Sequence, residues 1–321
     1  NHFISFTFLY YDYKQDPERD KRDMYANLLI LLPLFIGYLI PVKNKERLSS
    51  INRVLMWMIY IILFLMGIGL AQLDNLLENL KRVGEYTLVF LSLILLFNVI
   101  GLSWLNRYLT WPSLQQKTQS VSRLKMLFSS ADLIIAIILG FTIGLTRLSF
   151  FKYSGDATEL TLLVLLLLVG IQLRNSGLSL RHVLVNRNGI LVSLMVVVSS
   201  LSAGAVAAPV MGIPVNAGVS LASGFGWYSL SGSVLTKSLG PVLGTTAFFN
   251  DLGRELISLM LLPILLRRNM AVALGLTGAT SMDFALPIIQ KSGGLIIIPA
   301  AIVHGFILSL FAPILMAFFT G

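Results

Sequence analysis

Between Ala247 and Ser258 the chain reads Ala-Phe-Phe-Asn-Asp-Leu-Gly-Arg-Glu-Leu-Ile-Ser and then runs into the apolar stretch Leu259 to Leu266. On a helix, Asn250, Asp251, Arg254, Glu255 and Ser258 share one arc of about 140°. Phe249, Leu252, Leu256, Ile257 and Met260 cover the remainder. Glu255 stands twelve residues before Arg267, roughly 18 Å along a helix and therefore near the middle of a bilayer. Ionisable groups at that depth are costly and face a bundle interior or a wet cavity. A pair between Arg254 and either Asp251 or Glu255 would lock two helices together, but it uses only one acid. An acid left over inside a membrane meets a proton or a cation.

The elements that carry this arc must be membrane helices. Hydrophobic residues make up 56% of the 321 positions and charged residues only 12%, which excludes a soluble domain. The apolar runs are continuous, unlike the short alternating segments of a β-barrel. With no cysteine there is neither a disulfide framework nor thiolate chemistry. The three histidines are scattered and offer no metal cluster, and nothing in the chain asks for a cofactor. A net charge of +9 is explained by basic loops against lipid rather than by nucleic acid. Residues 1–23 include the polar run Asp12 to Asp23 and precede the first methionine, Met24. They are expected to be an extension outside the fold, leaving 24–321 as one transmembrane domain.

Spans are expected at about 25–42, 54–73, 86–105, 127–146, 158–173, 189–210, 243–266 and 295–319. The loops after the first, third and fifth carry Lys43, Lys45, Arg47 and Arg53; Arg107, Lys117, Arg123 and Lys125; and Arg174, Arg181 and Arg187. The loops after the second and fourth carry only Lys81, Arg82, Arg147 and Lys152. The positive-inside rule then puts the loop at 43–53 in the cytoplasm. Six spans, 24–212, bring the chain outside near Gly212. Arg267 and Arg268 belong inside, so 213–241 must enter and leave from the outer face as a re-entrant hairpin. The stretch 269–294 does the same from the inner face. The expected fold is all-α and polytopic: about eight transmembrane helices plus two re-entrant or broken-helix hairpins, N-out and C-out. Ten full spans would strand Arg267 and Arg268 outside.

The units 213–268 and 269–321 share an order: short helix, Gly-polar break, short helix, glycine, full span. At an offset of 54, Gly224 matches Gly278, Gly240 matches Gly294, Ala247 matches Ala301, Leu256 matches Leu310, and Asn250 corresponds to His304. An odd number of crossings per unit makes the repeat inverted, as is common in secondary transporters. The breaks are 223–232, with Gly224, Gly226, Trp227, Tyr228 and Ser229, and 277–287, with Gly278, Thr280, Ser281 and Asp283. Exposed backbone at such breaks survives only beside protein or water. Half-helix ends offer N–H groups to a carboxylate and carbonyls to a cation. Small-residue helix packing is the plainer reading, but it fits Asp283 and Trp227-Tyr228 poorly.

Other intramembrane polar residues have ordinary roles open to them. Asp74 ends the second span, either as a helix-end charge or as a second functional acid. Asp132 is near Arg123 and Lys125, suited to pairing. Asn98 and Gln172 suit hydrogen bonds between helices, and Gly177 to Arg181 suits a short interfacial helix. His304 is either a proton relay or a satisfied buried histidine.

The chain resembles the LysO-type (YbjE) lysine exporters of bacteria from about Met24 to its end. The likeness is carried by Leu168-Val-Gly-Ile-Gln-Leu-Arg-Asn175, Ala222-Ser-Gly-Phe-Gly-Trp-Tyr-Ser-Leu-Ser-Gly232, Ala247 to Leu256, Gly278-Ala-Thr-Ser-Met-Asp-Phe284 and Pro299 to Ser309. The resemblance implies a multi-pass protein of the bacterial inner membrane that exports L-lysine and analogues such as thialysine. It also implies intramembrane acids critical for transport. Glu255 matches one of them in its motif, and Asp74 is the candidate for the second. Lysine has two amines and one carboxylate, which suits acids together with helix N–H dipoles. Moving a cation outward against an inside-negative potential costs ~2.3 kcal/mol per charge per 100 mV. An inward ion must offset that cost, with H+ expected and Na+ the other choice. The expected site comprises Glu255, Asp74, Asp251, Asn250, Asp283, Ser281 and His304, and a homo-oligomer is compatible with it.

Three other classes compete. A sodium/proton antiporter without an amino-acid substrate uses similar acid-bearing broken helices. An intramembrane enzyme would have only Ser231 with His304 to work with, and no oxyanion arrangement marks them. A channel would lack carrier counterflow.

Overall fold

The structure, a computed structural model, describes residues 32–42, 44–111, 131–146, 154–175, 186–282 and 284–320. The run 1–23, the bases Lys117, Arg123 and Lys125, the stretch Gly177–Arg181 and Asp283 lie outside the described residues. Among the described residues every element is helical. In chain order they are α1 (Leu32–Tyr38), α2 (Lys45–Ala71), α3 (Leu76–Asn106), α4 (Ala131–Gly144), α5 (Ser154–Arg174), α6 (Arg187–Val210), α7 (Val215–Ala222), α8 (Tyr228–Leu239), α9 (Pro241–Arg268), α10 (Met270–Thr277), α11 (Leu286–Gly293) and α12 (Ile298–Thr320). Short 3-10 turns, Gly278–Met282 and Leu295–Ile297, lie between α10 and α11 and before α12.

Four helices, Glu46–Ala71, Leu76–Asn106, Arg187–Val210 and Ile298–Thr320, are long and apolar enough to cross a membrane. Helix α9 has the length, 28 residues, but Asp251, Arg254 and Glu255 interrupt its apolar character. The outer flanks are bare and apolar: on α3, Leu88 is 68% and Ile100 60% exposed. Trp104 stacks edge-on against Tyr108 at that helix's end, where aromatic rings favour a membrane interface. These are the features of an all-helical membrane protein.

Local chemistry starts the helices where they start. Asn44, Asn186 and Asn269 cap α2, α6 and α10, accepting the N–H of Glu46 (2.8 Å), Gly189 (2.8 Å) and Val272 (3.1 Å), which satisfies donors left over in the first turn. Two groups of helices result. In one, α2 packs on α4 and α5, and α1 packs on α5. Gly67 and Gly140 bring α2 and α4 into backbone contact, as Gly37 and Gly170 do for α1 and α5. In the other group, α3 packs on α6, α9 and α10, and α6 on α7 and α12. The two groups meet where α8 and α9 touch α2 and where α8 touches α5.

Side-chain contacts fix which helix ends lie together. Asn106, ending α3, accepts the Ala271 N–H (3.2 Å), and Asn269 donates to Ser103 (3.2 Å). Asn188, opening α6, donates to the Thr110 carbonyl (2.9 Å). Gly189 abuts Ala300 and Val303 of α12, and Gly293, ending α11, abuts Leu266 in the last turn of α9. The helix–break–helix segment α10–α11 therefore begins and ends beside the C-terminal end of α9. The segment α7–α8 is tied to the other end, since α7 follows the end of α6 and α8 leads into the start of α9. Both segments close on a glycine: Gly240 at φ 88, ψ 170 and Gly294 at φ 78, ψ −180, a backbone region essentially reserved for glycine.

Candidate functional site

The two breaks meet beside the middle of α9. Helix α7 stops at Ala222 and α8 starts at Tyr228; between them Phe225 (φ 51) and Gly226 (φ 87) adopt left-handed conformations. For a bulky residue this costs roughly 1–3 kcal/mol and persists only where the surroundings dictate it. Here they do. Phe225 is fully buried, and its carbonyl accepts the Ala279 N–H from the second break at 3.0 Å. The next N–H, that of Gly226, donates to Asp251 Oδ1 at 3.1 Å. Asp251 Oδ2 accepts the Ser231 hydroxyl at 2.6 Å. Three residues along α9, Arg254 donates from Nη2 to the Gly275 carbonyl (2.8 Å) and from Nε to the Leu276 carbonyl (3.2 Å). It thus closes the C-terminal end of α10, where carbonyls lack helix partners.

The polar arc is buried as one surface: Asn250, Asp251, Arg254, Glu255 and Ser258 are each about 1% exposed. The locking pair considered from sequence is replaced by something else, because Arg254 hydrogen-bonds the carbonyls of α10 and Asp251 the first break. Asn250 Nδ2 donates to Asp251 Oδ1 at 3.2 Å. Among the described residues, Asn250 Oδ1 has no hydrogen-bond partner. Glu255 lies mid-way along α9, thirteen residues before Arg268.

The other sequence-chosen residues scatter. Asp74 is exposed, in the turn between α2 and α3 beside left-handed Asn75; its backbone carbonyl accepts from Asn79 Nδ2 at 2.7 Å. Its exposure, against the burial of Glu255, is that of the helix-end charge that is one of the two readings open to it from sequence. Ser281 donates to the Ala301 carbonyl (2.8 Å), and Thr280 to that of Thr277 (2.8 Å). His304 Nδ1 and the Ser193 hydroxyl are 3.0 Å apart, joining α12 to α6. Asn98 does bridge helices, donating to Ser200 (3.0 Å) and accepting from Ser199 (3.2 Å). Asp132 is exposed; its expected partners and Asp283 lie outside the described residues.

A cavity of about 310 Å³ opens where both breaks face the first helix group. Its walls include Tyr60 of α2, Gln172 of α5, Trp227, Tyr228 and Ser229 at the first break, Thr280 at the second and Ser309 of α12. No residue of the α9 arc lines it. Sequence reasoning placed Trp227, Tyr228, Ser229 and Thr280 at the breaks but missed Tyr60, Gln172 and Ser309. Gln172 was visible as an intramembrane polar residue. Tyr60 and Ser309 carry no local signal that separates them from ordinary packing. Among the described residues no group of three or more His, Asp or Glu comes together to hold a metal.

Comparison with known proteins identifies the family. A family model described as "Lysine exporter LysO" matches residues 134–320. "Lysine exporter LysO" of Escherichia coli (strain K12) is 53% identical over 299 residues, covering 93% of this chain and 100% of that protein. A "Putative lysine exporter" of Haemophilus influenzae is 42% identical over 190 residues, covering 59% of this chain and 97% of that protein. No solved structure matches.

Proposed function

The chain belongs to the LysO family of lysine exporters, and we propose that it carries L-lysine outward across a bacterial inner membrane in exchange for entering protons. Its likeness along the whole length of the Escherichia coli protein carries this reading. The coupling follows from charge. Export of a cation against the membrane potential needs an inward ion, at ~2.3 kcal/mol per charge per 100 mV. Glu255, buried halfway along α9, is the group assigned to carry the proton.

In this reading the chain has eight spans and two re-entrant hairpins in an inverted repeat, with both termini outside. Helices α7, α10 and α11 have 8 residues each and α8 has 12, about 12–18 Å, short of the ~30 Å hydrocarbon core. Both ends of α10–α11 lie at one end of α9, and α7–α8 is tied to the opposite end. At the repeat offset of 54, Phe225 and Ala279 are equivalent and bond to one another, and Gly240 and Gly294 share one backbone conformation. Each of these observations supports two related units meeting tip to tip.

The test is uptake of radiolabelled lysine into inside-out vesicles. An acid lumen should drive accumulation, and an uncoupler should abolish it. Uptake that follows a sodium gradient instead would make Na+ the coupling ion. Glu255→Gln should remove gradient-driven uptake while leaving near-normal protein in the membrane; normal coupled transport in that variant ends the assignment of Glu255. Overproduction should raise resistance to thialysine. For topology, Arg268→Cys in this cysteine-free chain should label only from the cytoplasm and Gly212→Cys only from outside. Labelling of position 268 from outside would restore ten spans.

A further inference from the structure

Resting on the lysine-export reading, the geometry points to a seat for the substrate: we propose that lysine binds in the 310 Å³ cavity rather than against the acids of α9. Its carboxylate sits at the start of α8, and its methylenes and side-chain ammonium lie along the rings of Tyr60 and Trp227.

Three observations converge on this cavity. First, α8 opens into it without a side-chain cap on its first turn. The N–H groups at a helix start attract an anion, and Tyr228 fixes that start by packing edge-on against Phe248, with centroids 5.8 Å apart. Second, Ser229 and Ser309 line the cavity at 3% and 2% exposure, and among the described residues neither hydroxyl makes a hydrogen bond. Both hydroxyls face the cavity, where an incoming carboxylate can accept from them directly. Third, the aromatic wall offers what a long cationic side chain needs: apolar surface for its methylenes and ring faces for its ammonium.

The α9 arc is a poorer seat because Asp251 and Arg254 are already engaged in holding the two breaks. Asp251 holds Gly226 and Ser231, Asn250 donates to Asp251, and Arg254 holds α10. Substrate and coupling ion therefore occupy different places: lysine in front of the breaks, and the proton on Glu255 in the helix that braces them. The volume, near the lower end of the ~300–1,000 Å³ typical of small-ligand sites, suits one amino acid.

Binding of radiolabelled lysine to the full chain in nanodiscs tests this. Trp227→Leu and Ser229→Ala should each raise Kd about tenfold or more, while Trp227→Phe, which keeps a ring, recovers most of the affinity. On the unaltered protein, lysinamide, which lacks the carboxylate, should compete about tenfold less well than lysine. Equal competition by lysinamide would remove the carboxylate from α8. Wild-type affinity in both Trp227→Leu and Ser229→Ala, with binding lost in Glu255→Gln, would move the seat to α9 and overturn the proposal. If the unaltered protein neither binds nor carries lysine, the export reading falls first, an outcome distinct from either.

Discussion

The segments Val215–Leu239 and Met270–Gly293 are built alike, yet α9 holds them with opposite chemistry. At the first break the groups left over by the interrupted helix are donors, and an acid, Asp251, takes the Gly226 N–H. At the second they are the carbonyls ending α10, and a base, Arg254, takes two of them. The two side chains lie three residues apart on one helix face, where a direct pair would have been easy. Splitting them lets one helix satisfy two breaks buried in the protein interior, where unpaired backbone is costly. It also leaves the start of α8 as an uncapped helix end facing the cavity.

The largest effect is expected where the brace has most to hold. Arg254→Met strands the carbonyls of Gly275 and Leu276 and leaves Asp251 as a buried charge without its neighbour. Removing one partner of buried charges typically costs ~3–5 kcal/mol. Little folded protein should survive detergent extraction, judged by size-exclusion profile and thermal melt; Arg254→Lys should recover only part, because it lacks the fork. Asp251→Asn comes next, at ~1–3 kcal/mol, since it keeps the shape but loses the charge that strengthens three hydrogen bonds. The double variant should cost about 1 kcal/mol less than the sum, because it leaves no unbalanced charge. Strict additivity would mean that the two braces work independently.

Much of this was legible in the sequence because charge in an apolar run is conspicuous. The arc of α9, both breaks and the order helix, break, helix, glycine, helix all follow from periodicity and from Gly, Ser and Thr clusters. What the sequence left undecided was which partner each charge takes. Asp251 and Arg254 read equally well as a pair, as a binding site or as braces. Only the position of α10's end beside α9 separates these readings, and that is a long-range fact. Asp74 stayed open for the same reason: an acid at the end of an apolar run reads equally as a helix-end charge or a functional acid, and only the turn at Asn75 places it at the surface. The cavity was the least legible feature, because Tyr60, Gln172 and Ser309 come from three helices far apart in the chain.

A gentler test compares the glycines that close the two segments. Gly240→Ala and Gly294→Ala each force a Cβ into a backbone region that other residues avoid, at ~1–3 kcal/mol. If the segments are equivalent units, the two losses measured by thermal melt should agree within about 1 kcal/mol. A large loss at one glycine with none at the other would mean that the shared backbone geometry is not a shared structural demand.

The smallest expected effect asks how unequal the two braces are. Ser231 donates to Asp251 Oδ2 at 2.6 Å; at the repeat offset the second segment has Ala285, which has no hydroxyl, although its backbone N–H donates to the Thr280 carbonyl at 2.9 Å. The first break is therefore held by side chain and backbone together, the second by backbone and guanidinium. Ser231→Ala removes one charge-assisted hydrogen bond but leaves Gly226 and Asn250 donating to the other oxygen of Asp251. A bond to a charged group contributes ~1.5–3 kcal/mol, and the remaining donors reduce the net loss to about 1 kcal/mol. A thermal melt should register that loss, and combining Ser231→Ala with Asp251→Asn should add almost nothing, since the hydroxyl's role is to satisfy that carboxylate. A full additional loss in the double variant would show that Ser231 stabilises α8 by another route, and the first break would then be held no differently from the second.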